Sequence, residues 1–595
     1  MNPLLWVGAG LVAYTLVAFA LHSRGLLPPS VRLSGPLTTI HTRRGRALLD
    51  RLARSRRFWR AWSNVGLGIT LVIMAGSFVL LVVQGLAILR NPPAATAVNQ
   101  PRNFLVIPGV NDFLPLSVAP EIVFGLLLGL VVHEGGHGLL CRVEGIDIES
   151  MGLVTLAVVP IGAFVEPDEE SQRRASRGAR TRMFAAGVTN NFAVAAVAFA
   201  LLFGPVIAGV GVAPGVPVAD AYGDSPADRA GIDRGDRITA VAGQPVTTRA
   251  ELDAALAGAD DRSVAVELNG ERTVTVERDL VVAGTIQGNP LNLTVDPRGD
   301  PIRIAAVNGT PVATRSEFRD AVRNRTVAEV TTSVGTRTAP VGAFVRVAPD
   351  GPLANASAPA DANLVVTAVD GERVTSASSL TDVLATTSPG ETVTVETYRN
   401  GTRESYRVTL GEGDDGSGFL GVGVYPGTSG VVVTDFGVQE YPAGAYLEYL
   451  GGDGGPGASQ PVDLGDSALA STYEALLLPL ASFVLGIPNF PGFTGYWTDF
   501  YVVRGPLAAL GRGGAFLLVN GLFWTAWINL QLGLFNCIPG YPLDGGRILR
   551  TSAEAVVSRL PVEDPRRVVR AITTSVGVTM LVSLFLLVFG PTLLR

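Results

Sequence analysis

Apolar residues gather into six runs, near residues 4–22, 64–89, 121–141, 183–212, 514–535 and 571–593. Each is long enough to cross a bilayer, which takes about 20 residues of helix. The pattern predicts six transmembrane helices. A seventh apolar stretch, Ala468 to Gly486, carries Glu474 and Pro479 and runs up to Pro488. Those breakers predict an interfacial or re-entrant helix on the outer face, not a further span. A long polar insert separates the fourth run from the seventh stretch.

The insert repeats itself. Ile238-Thr239-Ala240-Val241-Ala242-Gly243-Gln244-Pro245-Val246 returns as Ile304-Ala305-Ala306-Val307-Asn308-Gly309-Thr310-Pro311-Val312 and again as Val366-Thr367-Ala368-Val369-Asp370-Gly371-Glu372-Arg373-Val374. The three glycines are 66 and then 62 residues apart, and a short amphipathic helix follows each, ending near Leu256, Val322 and Leu384. Strand, glycine turn, strand and helix make one supersecondary unit used repeatedly. Asp224-Ser225-Pro226-Ala227-Asp228-Arg229-Ala230-Gly231-Ile232, followed by Gly235-Asp236-Arg237-Ile238, precedes the first copy. This front end resembles a PDZ domain of the bacterial protease-associated type. The copy around Gly371 resembles a second, with an altered front end. The middle copy matches only a fragment of the pattern, so two PDZ-like modules are expected and a third is left open.

Charge assigns sides to this plan. Mean hydropathy is +0.35, with 47% hydrophobic and 16% charged residues, as suits an integral membrane protein. Residues 216–466 hold 35 acidic side chains against 19 arginines, and the rest of the chain 17 against 27. An acidic soluble insert on a basic, apolar frame fits these numbers. Ten arginines (24, 32, 43, 44, 46, 51, 54, 56, 57 and 60) lie between the first two runs, which makes that loop cytoplasmic. Alternation puts residues 142–182 and 545–570, also Arg-rich, on the same side and the insert outside. Five Asn-x-Ser/Thr sequons, at Asn292, Asn308, Asn324, Asn355 and Asn400, all fall in the insert. The first run lacks a basic leader and meets an Arg-rich segment directly, so it is expected to stay as a helix. The two cysteines, Cys141 and Cys537, sit at the ends of apolar runs and indicate no disulfide framework. No basic stripe with interleaved aromatics is present, which excludes nucleic acid as an expected partner.

The chemistry concentrates in the third run. The chain has four histidines, His22, His41, His133 and His137, and the last two bracket His133-Glu134-Gly135-Gly136-His137. Two histidines at i and i+4 share a helical face and can hold a divalent metal, with the Glu between them placed to deprotonate a water. A catalytic zinc site takes three protein ligands and keeps one position open. Cys141 lies on the same stripe, but a straight helix puts it about 12 Å along the axis from His133, beyond what one ion can gather. Asp544 is the better candidate. It sits in Asn536-Cys537-Ile538-Pro539-Gly540-Tyr541-Pro542-Leu543-Asp544-Gly545-Gly546, where prolines and glycines break the helix just after a span. An acidic residue at that depth is costly unless it pairs or binds metal. The competing reading of Asp544 is a helix cap before Arg547.

HExxH in one span and NxxPxxxLDGG after a later one resemble the site-2 protease family of intramembrane zinc metalloproteases, in which PDZ domains also occur between the two motifs. The resemblance implies one Zn²⁺ held by His133, His137 and Asp544, with Glu134 as the general base. Gly187-Val188-Thr189-Asn190-Asn191-Phe192 is similar to the family's GPxxNF element, with Val188 in place of Pro. Gly162-Ala163-Phe164-Val165 resembles the strand that pairs with an extended substrate. Asn191, Phe164 and Asn536 are therefore expected to position substrate. Arg504-Gly505-Pro506 resembles the GP element after the amphipathic helix. The Arg-rich first loop departs from the family core.

The fold class expected is an α-helical integral membrane protein, with six transmembrane helices, an interfacial helix and an inserted extracytoplasmic α+β PDZ-like region. Residues 1–120 supply two N-terminal helices and their cytoplasmic loop, and 121–215 the first half of the protease core. Two PDZ-like domains are expected at 216–280 and 341–430, with a partial repeat or linker at 281–340. A linker with the interfacial helix follows at 431–513, and the second half of the core at 514–595. Expected partners are the lipid bilayer of the cell membrane and pre-cleaved substrates with a single transmembrane helix, in regulated intramembrane proteolysis. The PDZ-like modules would capture an exposed C-terminus or exclude bulky substrates. The rival readings are a non-proteolytic PDZ scaffold with a relic metal site and a metal transporter.

Overall fold

The structure, a computed structural model, describes residues 3–93, 107–111, 114–259, 261–296, 300–413, 416–458, 467–484 and 487–594. The chain divides into two compact units. The first unit comprises Met1–Gly211, Ala445–Gly454 and Ser459–Arg595. Its helices are α1 (Pro3–Ser23), α2 (Arg43–Leu52), α3 (Arg56–Arg90), α4 (Ala119–Glu144), α5 (Arg177–Leu201), α6 (Gly511–Asn536), α7 (Asp544–Val557) and α8 (Pro565–Leu593). Among the described residues five helices are long and apolar enough to cross a membrane; they contain α3, α4, α5, α6 and α8. The first expected span is helical too, over Pro3–Ser23.

Helix α4 packs against both α5 and α6, and glycine makes the approach possible. A Cβ on Gly125 would lie 3.0 Å from the Trp524 carbonyl of α6, and one on Gly136 2.8 Å from the Ala186 carbonyl of α5. Small residues at such contacts are how helices associate in lipid, where apolar surface alone gives no drive. Helices α3 and α8 pack on each other, and Val65, Val72 and Val79 of α3 stay exposed. Exposed apolar rows of this kind are satisfied by acyl chains. Glu144 at the end of α4 ties three helices together, accepting from Arg60 of α3 at 3.0 Å and Arg182 of α5 at 2.8 Å. The stretch 468–486 is a broken helix, Ala468–Leu477, a turn at Leu478–Leu480 and Ala481–Val484; its last two residues lie outside the described set. Its apolar length, Leu469–Leu480, is that of a short helix.

The Arg-rich first loop folds into two strands, β1 (Val31–Ser34) and β2 (Leu37–His41). They extend a sheet whose other members, β3 (Ile148–Leu156) and β4 (Val159–Pro167), follow α4. The order β1-β2-β3-β4 leaves β4 at the edge.

The second unit, Val212–Gly444 with Gly455–Ala458, contains three copies of one fold, nested inside one another. In each, a glycine turn has positive φ at two successive residues, Ala242-Gly243, Asn308-Gly309 and Asp370-Gly371. This is the type I′ geometry that joins tight hairpins. Five residues after each glycine a helix starts, at N-caps Thr248, Thr314 and Ser376, all three with a capping box. Each copy also has a first strand, Val216–Ala221, Val281–Thr285 or Ala343–Val347. The partners that close these strands all come from one short return segment. Val422–Val424 pairs with the third copy, Val431–Thr434 with the second and Val438–Glu440 with the first.

Segment 281–340 is thus neither linker nor fragment. It has its own core, with Ile304, Val307, Phe318, Val322 and Val330 buried, and Val431 from the return segment completes it. Likewise the first core takes in Phe436 and Val438. Asp435, fully buried, sits between the last two closing strands. It accepts from Arg278 of the first copy at 2.5 Å and from the Arg315 backbone N–H of the second at 2.9 Å. Breaking one side of a buried ion pair costs about 3–5 kcal/mol because the other charge is left stranded. Asp435→Asn is therefore expected to lower the unfolding free energy of this unit by that amount, read as a lower chemical-denaturation midpoint. An unchanged midpoint would show that the return segment is held by apolar contacts alone.

Candidate metal centre

His133 and His137 lie one turn apart on α4, both buried, with ring centroids 4.7 Å apart and Nε2 atoms 3.2 Å apart. The third group arrives from the far end of the sequence. Helix α6 ends at Asn536, the chain turns through residues 537–543, and Asp544 opens α7. Gly545 and Gly546 let this turn fold back on the helix start: a Cβ on either would fall within 2.6 Å of the turn's own backbone. Asp544 Oδ2 then lies 3.1 Å from both imidazole Nε2 atoms. The three ligand atoms lie within 4.8 Å of one another, and all three residues are buried.

The hydrogen bonds behind the rings settle what faces the centre. His137 Nδ1 donates to the Met183 carbonyl of α5 at 2.8 Å, which leaves Nε2 as the lone-pair atom. His133 Nδ1 lies 3.3 Å from the Asn191 amide nitrogen, while Asn191 Oδ1 is buried without a partner. Exchanging the isosteric amide O and N gives Oδ1 a donor in His133 Nδ1–H and turns the second Nε2 lone pair inward as well. Asp544 Oδ2 is also buried and accepts no hydrogen bond. Two inward lone pairs and an orphan carboxylate oxygen repel one another unless a cation sits between them. Two imidazoles and a carboxylate also form a set that zinc accepts, with a fourth position left over. The residues present fit the ion.

Glu134, the next residue along α4, turns its carboxylate to β4 and accepts from the Val165 N–H at 3.0 Å. That N–H lies on the edge of β4 that β3 leaves free, because β4 ends the sheet. Of the residues expected to position substrate, Phe164 is on β4 opposite Gly152, its ring edge-on to His41 at 5.2 Å. Asn191 is fully buried and its amide faces His133, not β4. Asn536 donates back to the Leu532 carbonyl of its own helix at 3.0 Å. Cys141 is buried against the Met183 sulfur, 3.3 Å away, as a packing residue.

Two contributors escaped the sequence reading. The Met183 carbonyl could not be found, since any residue supplies one. Gly187 opens the Gly187–Phe192 element already singled out, and its lack of a side chain was the available signal. A Cβ there would stand 2.7 Å from both His133 Cε1 and His137 Nε2. Gly187→Ala is therefore expected to displace both rings and weaken metal binding about 10–100-fold, as loss of ligand orientation does elsewhere. Equal metal retention by wild type and variant during chelator titration would contradict this.

The model of peptidase family M50 matches residues 121–584. The chain belongs to peptidase family M50, the site-2 protease family. The match runs from the start of α4 to within α8, so it takes in all three clustered side chains. Among curated proteins, an uncharacterized protein of Methanocaldococcus jannaschii is 27% identical to this M50 chain over 165 residues, 27% of the chain and 42% of that protein. A Mycobacterium tuberculosis protein named "Putative zinc metalloprotease Rip3" is 53% identical over 34 residues, 6% of the chain and 9% of that protein. The matched stretches thus cover less than half of either relative.

Proposed function

We propose that this M50 chain is an intramembrane zinc metalloprotease that hydrolyses peptide bonds within or near transmembrane segments of other membrane proteins. The observation that carries the reading is the meeting of His133, His137 and Asp544, with the unpartnered Asp544 Oδ2 between two inward imidazole lone pairs. A zinc ion bound there supplies Lewis acidity toward a water and a peptide carbonyl. His133 and His137 stay neutral and hold the ion through Nε2, oriented by Asn191 and the Met183 carbonyl. Glu134 takes a proton from the attacking water and passes it to the leaving amine.

A transmembrane helix hides its carbonyls in hydrogen bonds to residues four positions on, so the substrate must unwind before attack. The free edge of β4 accepts such an extended segment by strand addition. It begins at the backbone group that Glu134 touches, which puts the base beside the scissile bond. The role of Asn191 shifts accordingly, from holding substrate to orienting His133. Substrates with one transmembrane helix, already cut outside the membrane, suit this requirement, as in regulated intramembrane proteolysis. The three nested repeats are read as PDZ-like modules on the extracytoplasmic side that exclude bulky substrates.

The test is metal analysis of the purified protein together with cleavage of a single-span model peptide. One zinc per chain with cleavage dependent on Glu134 supports the proposal. A metal-free protein that leaves the peptide intact contradicts it.

A further inference from the structure

We propose a second binding site in the membrane unit, for one anionic phospholipid, where α5, α7 and α8 meet. A pocket of 530 Å³ is lined by Arg177 at the start of α5, Arg550 of α7, and Arg566 and Arg570 of α8. Its one carboxylate, Glu554, is already engaged, 3.1 Å from Arg180 and 3.4 Å from Arg550. Arg177 donates to the neutral Ser558 hydroxyl at 2.9 Å. Arg566 and Arg570 make no ion pair among the described residues. Four guanidiniums around one neutralised carboxylate leave a strongly positive hollow. It lies where two membrane helices, α5 and α8, begin, on the Arg-rich side of the chain. Lipid phosphates sit at that level, and basic pockets between helices there take anionic headgroups.

A second cavity shows that the ligand is amphiphilic. It measures 770 Å³, shares Arg550 and Thr573 with the first, and continues between Leu581 and Leu584 of α8, Leu81 of α3 and the Pro539–Leu543 turn. Its walls are almost wholly apolar. Phosphate in the first hollow and an acyl chain in the second fill both; a free phosphate leaves the second empty. Arg550 is six residues beyond Asp544 on α7. A lipid bridging Arg550 to α5 and α8 therefore fixes the helix that delivers the carboxylate to the metal centre.

The test uses the full chain in a mild detergent, with retained lipid counted by native mass spectrometry. Phosphatidylglycerol and phosphatidylcholine are offered separately, with inorganic phosphate as competitor. The wild type is expected to retain one phosphatidylglycerol and no phosphatidylcholine, and phosphate is expected not to displace it. Arg566→Gln with Arg570→Gln should weaken retention about 30-fold, at roughly five- to sixfold per arginine. Arg566→Lys with Arg570→Lys should restore it. Leu581→Trp, which fills the apolar cavity and keeps every arginine, should abolish it. Equal retention of both lipids overturns the proposal. So does displacement by inorganic phosphate with Leu581→Trp silent, which would mark a soluble-anion site. Displacement by a single-span peptide would assign the cavity to substrate and overturn it as well.

Discussion

Glu134→Gln is expected to reduce cleavage of a model transmembrane peptide about 10²–10⁴-fold, the usual worth of a positioned general base, with metal content unchanged. The amide is isosteric with the carboxylate and still accepts from the Val165 N–H, which Glu134 Oε2 meets at 3.0 Å. The edge strand and both histidines therefore stay in place. What is lost is proton affinity. Glu134 stands beside His133 in sequence but faces the sheet, so its removal leaves the ligand set complete. A membrane scaffold with a relic site would keep its phenotype in this variant. Cleavage at the wild-type rate would remove Glu134 from the chemistry.

Asp544→Ala is expected to empty the centre. The side chain supplies one of three protein donors, 3.1 Å from each imidazole, and nothing else acidic among the described residues joins the cluster. Zinc held by protein ligands is worth about 10–16 kcal/mol in small sites. Loss of about a third of that is 10²–10³-fold or more in affinity at 1.4 kcal/mol per tenfold. His137 keeps its bond to the Met183 carbonyl of α5 and His133 its contact with Asn191, so α4 and α5 stay together. The check is zinc per chain after dialysis against a chelator: near one for wild type, near zero for the variant. Full zinc in the variant would mean that Asp544 is not a ligand.

Much of the centre was legible because its signals are local. The spacing of His133 and His137 is a property of one helical turn, and the Pro–Gly break before Asp544 is written in consecutive residues. Turn and cap residues marked the repeats in the same way: Gly243, Gly309 and Gly371 with their N-caps five residues later. What was not legible depends on pairing across long separations. Val431–Thr434 and Val438–Glu440 are short strands whose partners lie roughly 150 to 220 residues upstream, and nothing in their composition names them. The same holds for β2, which pairs with β3 more than 100 residues later. The Arg-rich loop therefore read as a connection, when it holds two strands and a helix. Asn191 was assigned to substrate because its motif was seen without the ring it faces. In the first apolar run, hydropathy marked the helix, which runs over Pro3–Ser23.

The account rests on one ion held by two imidazoles and a carboxylate, and X-ray absorption at the zinc edge of the purified protein tests this most directly. The predicted spectrum has a first shell of nitrogen and oxygen at about 2.0–2.2 Å, with the outer-shell signature of two imidazoles that Asp544→Ala erases. A sulfur shell at about 2.3 Å, or no zinc in protein that cleaves peptide, would contradict it.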